Sequence, residues 1–147
     1  MRHPSISLLV LPLAALLLSA CSDSGTSGTS LSDFRERIES TAGPEAEDCG
    51  TSPAGESRTP QNTCIADAFQ AGLAARALYQ QSGFDSQVFS ALTVAADGTV
   101  TRLFFDADPD GEGRRDNGLI ASVVCEDAML SGNLDGDAND VFTCASA

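Results

Sequence analysis

The sequence predicts an α+β domain: one main helix packed on an antiparallel meander of four to five strands, with two disulfides. Three observations predict it. Ile65, Ala68, Phe69, Gly72 and Leu73 recur near a 3.6-residue period, which marks one apolar helix face. Residues 88–95 (VFSALTVA) and 100–105 (VTRLFF) alternate on either side of Asp97-Gly98, a strong short-range hairpin signal. Four cysteines at 49, 64, 125 and 144 form an even set in a chain with an export signal.

That signal is the first element. Arg2 and His3 start the chain, residues 6–18 are almost wholly apolar, and Ser19, Ala20 and Cys21 follow. The run is too short for a spanning helix and has the three-part layout of a secretory signal. Leu18-Ser19-Ala20-Cys21 resembles the lipobox of bacterial lipoprotein precursors. The resemblance implies cleavage before Cys21, lipidation of its thiol (diacylglyceryl) and acylation of the new amino end (palmitate among the acyl groups). Multiple acyl chains make such an anchor stable. Aspartate directly after the cysteine favours inner-membrane retention in that family. Ser22 stands there instead, so the expectation is an outer-membrane anchor facing the periplasm. The expected organisation is a signal peptide over 1–20, a Ser/Gly/Thr-rich flexible tether over 21–32, and one small domain over 33–147 with its core at about 48–144.

Cleavage leaves seven arginines, no lysine and 21 acidic residues, a net charge of −14. Such a surface repels nucleic acid and anionic lipid and suits cations or basic partners. His3 is the sole histidine and leaves with the signal, so Ser-His-Asp and Cys-His chemistry is excluded from the mature chain. There is no lysine for Schiff-base work, no P-loop and no GxGxxG run. Paired carboxylates are the remaining acid–base candidates, and a small carboxylate hydrolase is the residual enzymatic reading. The expectation is a non-enzymatic domain with an unidentified protein partner.

Four cysteines allow three pairings. Sequence proximity favours Cys49–Cys64 and Cys125–Cys144. Zinc is the competing use, against which stand the lack of a C-x-x-C pair and of any accompanying histidine.

Along the folded part, Leu31, Phe34 and Ile38 share a helical face. Ser30 and Asp33 sit at capping-box spacing and Gly43-Pro44 ends the run, so a short helix over about 31–41, lightly attached, is expected. Residues 42–58 read as a polar loop holding Cys49. Thr59-Pro60 reads as an N-cap followed by proline at the first helical position, opening a main helix over 60–73 with a first strand at 75–81. A two-residue turn at Asp97-Gly98 pairs Val94 with Thr101, Leu92 with Leu103 and Ser90 with Phe105. That register places Val88, Leu92, Val94, Leu103 and Phe105 under the main helix, and Phe89, Val100 and Phe104 beneath the N-terminal one. Residues 119–124 (LIASVV) form a further strand, with Val141-Phe142 as its expected partner. The order of cysteines, helix, strands and the D-x-D-P-x-G run is similar to that of a set of uncharacterised small secreted bacterial proteins, which implies a fold and no activity.

Asp106-Ala107-Asp108-Pro109-Asp110-Gly111-Glu112 carries carboxylates at positions 1, 3 and 5 and glycine at 6, as an EF-hand loop does. Position 12 is Asn117, not a bidentate glutamate, and a strand precedes the loop, so it is not an EF-hand. It reads first as an acidic turn between strands. Calcium is the alternative, with Asp106, Asp108, Asp110, Glu112 and Asp116 as ligands. A second cluster, Asp135, Asp137, Asn139 and Asp140, offers similar oxygens without that glycine.

Overall fold

The computed structural model describes residues 29–83, 86–113 and 118–145. Cys21, the expected signal peptide, most of the expected tether and Asp116 lie outside them. Helix α1 spans Leu31–Ala42, strand β1 Glu47–Ser52, helix α2 Thr59–Ala71, β2 Ala75–Gln81, β3 Val88–Val94, β4 Val100–Asp106 and β5 Leu119–Cys125. Two short strands, β6 (Met129–Leu130) and β7 (Phe142–Thr143), flank a 3₁₀ turn at Ala138–Asp140. No described helix is long and apolar enough to cross a membrane.

The five main strands form one sheet in the order β1-β2-β3-β4-β5. Strands β2 to β5 are the antiparallel meander, and β1 joins β2 in parallel. Residues 47–52 therefore pair, where a loop was expected. The hydrophobic pattern of EDCGTS does not announce a strand. What holds it is the Cys49–Cys64 bond, with Cα atoms 5.7 Å apart, which staples β1 to α2 as the chain crosses back into β2. The second bond joins Cys125 to Cys144.

Each face of the sheet carries a helix. On one, Ile65 and Ala68 of α2 meet Ala75, Ala77, Tyr79, Leu92, Val94 and Val100, and Val141 and Phe142 close the end. Phe142 meets Phe69 edge-on at 5.0 Å between ring centres. On the other face, Phe34 and Ile38 of α1 pack on Leu78, Phe89, Ala91, Leu103 and Phe105. Phe34 is fully buried and stacks on Phe105 at 5.5 Å. Burying such a ring stabilises by about 1.5–3 kcal/mol, so α1 is an integral layer and not a loose attachment. Its start is the capping box read from the sequence: Ser30 Oγ accepts from Asp33 N, and Asp33 accepts from Ser30 N. At α2 the cap differs. Arg58 is the N-cap and makes no side-chain cap bond, and Thr59 is already helical.

The hairpin register also differs by one residue. Ala95 N donates to Thr99 O and Gly98 N to Ala95 O, so the loop has three residues, with Gly98 at φ +85°. A type I turn followed by glycine in the left-handed region gives that loop. Val94 consequently pairs with Val100, Leu92 with Arg102 and Ser90 with Phe104. A one-residue slip moves a strand's side chains to the other face. Leu103 and Phe105 thus lie under α1, and Val100 under α2; Phe89 is beneath α1 as expected. Val141-Phe142 does not pair with β5: β7 pairs with β6, and the Cys125–Cys144 bond carries the link to the sheet.

Candidate interaction surface

The two helices cover the sheet unequally. Helix α2 packs on β1, β2 and β3, and α1 on β2, β3 and β4. Strand β5 lies at the edge of the sheet, outside the main contacts of both helices. Its sequence, LIASVVC, contains no charge and no proline. Pairing of β4 with β5 sets Asp106 opposite Leu119, Phe104 opposite Ala121 and Arg102 opposite Val123. Because side chains alternate across a strand, Leu119, Ala121, Val123 and Phe104 share the α2-side face. Relative exposures of 39% for Phe104, 50% for Leu119 and 65% for Val123 show an uncovered apolar strip where α2 does not reach. On the other face Val124 is also exposed, while Ile120 packs against the α1 core.

The strip is framed by polar structure. Arg102 donates from one guanidinium nitrogen to Asn139 O and Phe142 O, both at 2.7 Å, and so pins the C-terminal segment over the sheet. At the start of β5 the chain preceding α1 crosses the edge: Thr29 bridges Gly118, and its hydroxyl donates to the Gly118 carbonyl. A side chain at Gly118 would place its Cβ 2.1 Å from Thr29 O, so only glycine admits this approach. At the far end β5 turns through Asp127, at φ +48°, with Glu126 and Asp127 exposed.

Beside the strip is a cleft of about 290 Å³ lined by Arg58, Gln81, Val88, Ser90, Phe104 and Asp137 among others. Its polar groups are bound to one another. Arg58 pairs with Asp137 and donates to Gln81 Oε1 at 3.0 Å, and Gln81 Nε2 donates to Ser90 Oγ at 2.8 Å. The Arg58 guanidinium lies 6.0 Å from the centre of the Tyr79 ring. Burial pushes the Tyr79 hydroxyl above the usual tyrosine range, with the Arg58 charge acting in the opposite direction.

The acidic loop after β4 folds on its own carboxylates. Asp106 Oδ1 accepts from Ser86 Oγ at 2.8 Å and from Asp108 N at 3.0 Å. Asp108 is buried; its Oδ1 accepts from Glu112 N at 3.1 Å and its Oδ2 from Gly113 N at 2.7 Å. Asp110 and Glu112 are exposed, and Asp116 lies outside the described residues. Among the described residues no three or more His, Cys, Asp or Glu side chains are grouped to hold a metal ion. The second acidic cluster docks on the start of α2. Asp135 accepts from Thr59 Oγ1 at 2.9 Å, Asp140 accepts from Asp137 N at 3.0 Å, and Asn62 Nδ2 donates to Leu134 O and Gly136 O.

The uncovered strip was not read from the sequence, which assigned β5 a partner strand. The signal present was LIASVV itself, an apolar run with no charge to mark a solvated edge. No protein-family model, curated protein or solved structure matches the chain.

Proposed function

We propose that this chain is a lipid-anchored lipoprotein of the outer membrane, facing the periplasm, whose folded domain acts by binding a protein partner and not by catalysis. The observation that carries the binding role is the exposed apolar strip at the β5 end of the sheet, Phe104, Leu119 and Val123. Contiguous exposed apolar surface on a small domain marks interaction sites. The non-catalytic reading rests on residue inventory: a mature chain without histidine or lysine, whose four remaining cysteines are in disulfides. The anchoring rests on the lipobox ending at Cys21. Seven residues lie between Cys21 and Thr29, eight chain steps with a reach of at most about 29 Å. Since Thr29 bridges Gly118, the start of β5 is then the moored end of the domain.

Two measurements on the chain in its native envelope test this reading. Metabolic labelling with palmitate is expected to mark the wild-type protein and not Cys21→Ala. A photo-crosslinking residue at Val123 is expected to give a discrete protein adduct, while one at Glu47 on the opposite edge gives none. An unlabelled wild-type chain removes the anchor, and the lack of an adduct at Val123 removes the binding role.

A further inference from the structure

We infer that the cleft beside the strip seats one apolar residue of the protein partner together with a neutral backbone amide of that residue, a proposal that rests on the binding role above and names the chemistry of the contact. The cleft is walled by Val88, Phe104 and Ala138 and floored by Arg58, Gln81 and Ser90. Arg58, the N-cap of α2, lies over the Tyr79 ring, and Gln81 and Ser90 stand on the neighbouring strands β2 and β3. Arg58 donates to Asp137 and to Gln81 Oε1, and Gln81 Nε2 donates to Ser90 Oγ. The row of bonds therefore runs in one direction and ends on the Ser90 hydroxyl. That proton meets no acceptor among the described residues, although Ser90 is only 9% exposed. Arg58 uses two of its five N–H groups in the row. The floor thus has donors to spare, so a bound group must bring an acceptor oxygen.

Charge and size decide which acceptor it is. The Arg58 guanidinium is already paired with Asp137, and Asp135 and Asp140 lie on the adjoining surface. A carboxylate would have to displace Asp137 and face those two like charges, so a neutral carbonyl fits better. An amide also brings an N–H donor, for which the mostly exposed Asp137 carboxylate is an acceptor at the rim. The apolar body beside the amide meets Val88 and Phe104. A volume of about 290 Å³ falls just short of the ~300–1,000 Å³ of pockets that hold whole small molecules. It suits one anchoring residue of a larger partner. Phe104 belongs both to this cleft and to the strip, so a chain seated here has Leu119 and Val123 beside it.

Tyr79 is the sole tyrosine and the chain has no tryptophan, so its emission reports on this site. The test uses the full mature chain purified in a detergent without aromatic rings, with N-acetyl-leucinamide as the probe. Millimolar probe is expected to change the Tyr79 emission saturably. N-acetyl-leucine, which carries a free carboxylate, should bind roughly fivefold more weakly. Ser90→Ala should weaken the amide roughly fivefold, the effect of one neutral hydrogen bond. Phe104→Ala, a change at an exposed side chain, should weaken it as well. Four results would overturn the proposal: no saturable change, equal binding of the free acid, tighter binding of N-acetylglucosamine than of the amide, or unchanged affinity in both variants. A silent amide with a persisting Val123 adduct in cells would reject the cleft and leave the binding role standing. Loss of the adduct as well would reject both.

Discussion

The two edges of the sheet are built differently. β1 is short and polar, carries Glu47 and Asp48, and changes register between Asp48 and Thr51. It is bonded through Cys49 to α2, and Arg76 pairs with Asp48 at 3.4 Å. Charge, irregularity and cover are the devices by which proteins keep an edge from pairing with other chains. β5 lacks charge and irregularity: its seven residues pair regularly with β4 and leave Val123 and Val124 in solvent, while the chain preceding α1 meets this edge at Gly118. One sheet thus has a polar, irregular, crosslinked edge and a regular, apolar one. The difference teaches that the apolar exposure of β5 is a property of that edge, not of the fold.

The largest expected effect lies at the crosslinked edge. Replacing Cys49 and Cys64 by serine removes a crosslink spanning 15 residues, worth about 3 kcal/mol, and thermal melts should fall by roughly 10–20 °C. Exchange at β1 amides should rise while β5 amides keep their rates; equal loosening of both edges would show that the bond does not act locally. Next comes the loop that leads into β5. Asp108→Ala leaves two backbone N–H groups without their carboxylate and should cost about 1–3 kcal/mol, with Asp108→Asn costing less. Because this carboxylate is engaged by its own loop, millimolar calcium should leave the wild-type melt unmoved. A rise with calcium would assign the loop to the metal.

A smaller effect is expected from Val123→Lys, within about 0.5 kcal/mol in stability, since the side chain is solvent-exposed. That makes it the clean probe of the apolar strip: binding is lost while the melt is kept. The smallest effect is that of pH. Hydrogen bonds from Ser30 hold Asp33 below the usual carboxylate range, and those from Thr99 do the same for Asp97. A folded value below the unfolded one gives stability that is present above about pH 4 and lost as pH falls through the folded value. Acid titration followed by exchange should therefore loosen the start of α1 and the β3–β4 turn below pH ~4, with no change between pH 5 and 8 from these two groups.

What the sequence made legible follows from where its patterns were strong. The α2 stripe gave Ile65 and Ala68 as core, although the helix ends at Ala71 with Gly72 as its cap and Leu73 exposed; Ser30 and Asp33 gave the start of α1, and cysteine spacing gave both disulfides. The β1 strand was hidden because a polar segment pairs through its backbone and a distant cysteine, neither of which leaves a hydrophobic period. The hairpin slipped by one residue because Asp-Gly serves two-residue and three-residue loops alike, and only the backbone at Gly98 distinguishes them. The candidate site was half visible. The apolar run 119–124 stood out, but its exposure depends on how far α1 and α2 extend across the sheet, which no local pattern encodes. The acidic loop reads first as a turn between strands, with calcium as the alternative, and Asp106 and Asp108 accept hydrogen bonds from their own loop and from the side chain of Ser86.

Hydrogen exchange on the chain within the cell envelope proposed for it, set against the detergent-extracted and purified chain, tests the asymmetry of the two edges most directly. The account predicts slower exchange in the envelope at β5 amides, with β1 rates the same in both preparations. Unchanged β5 rates, or slowing shared equally by β1, would contradict it.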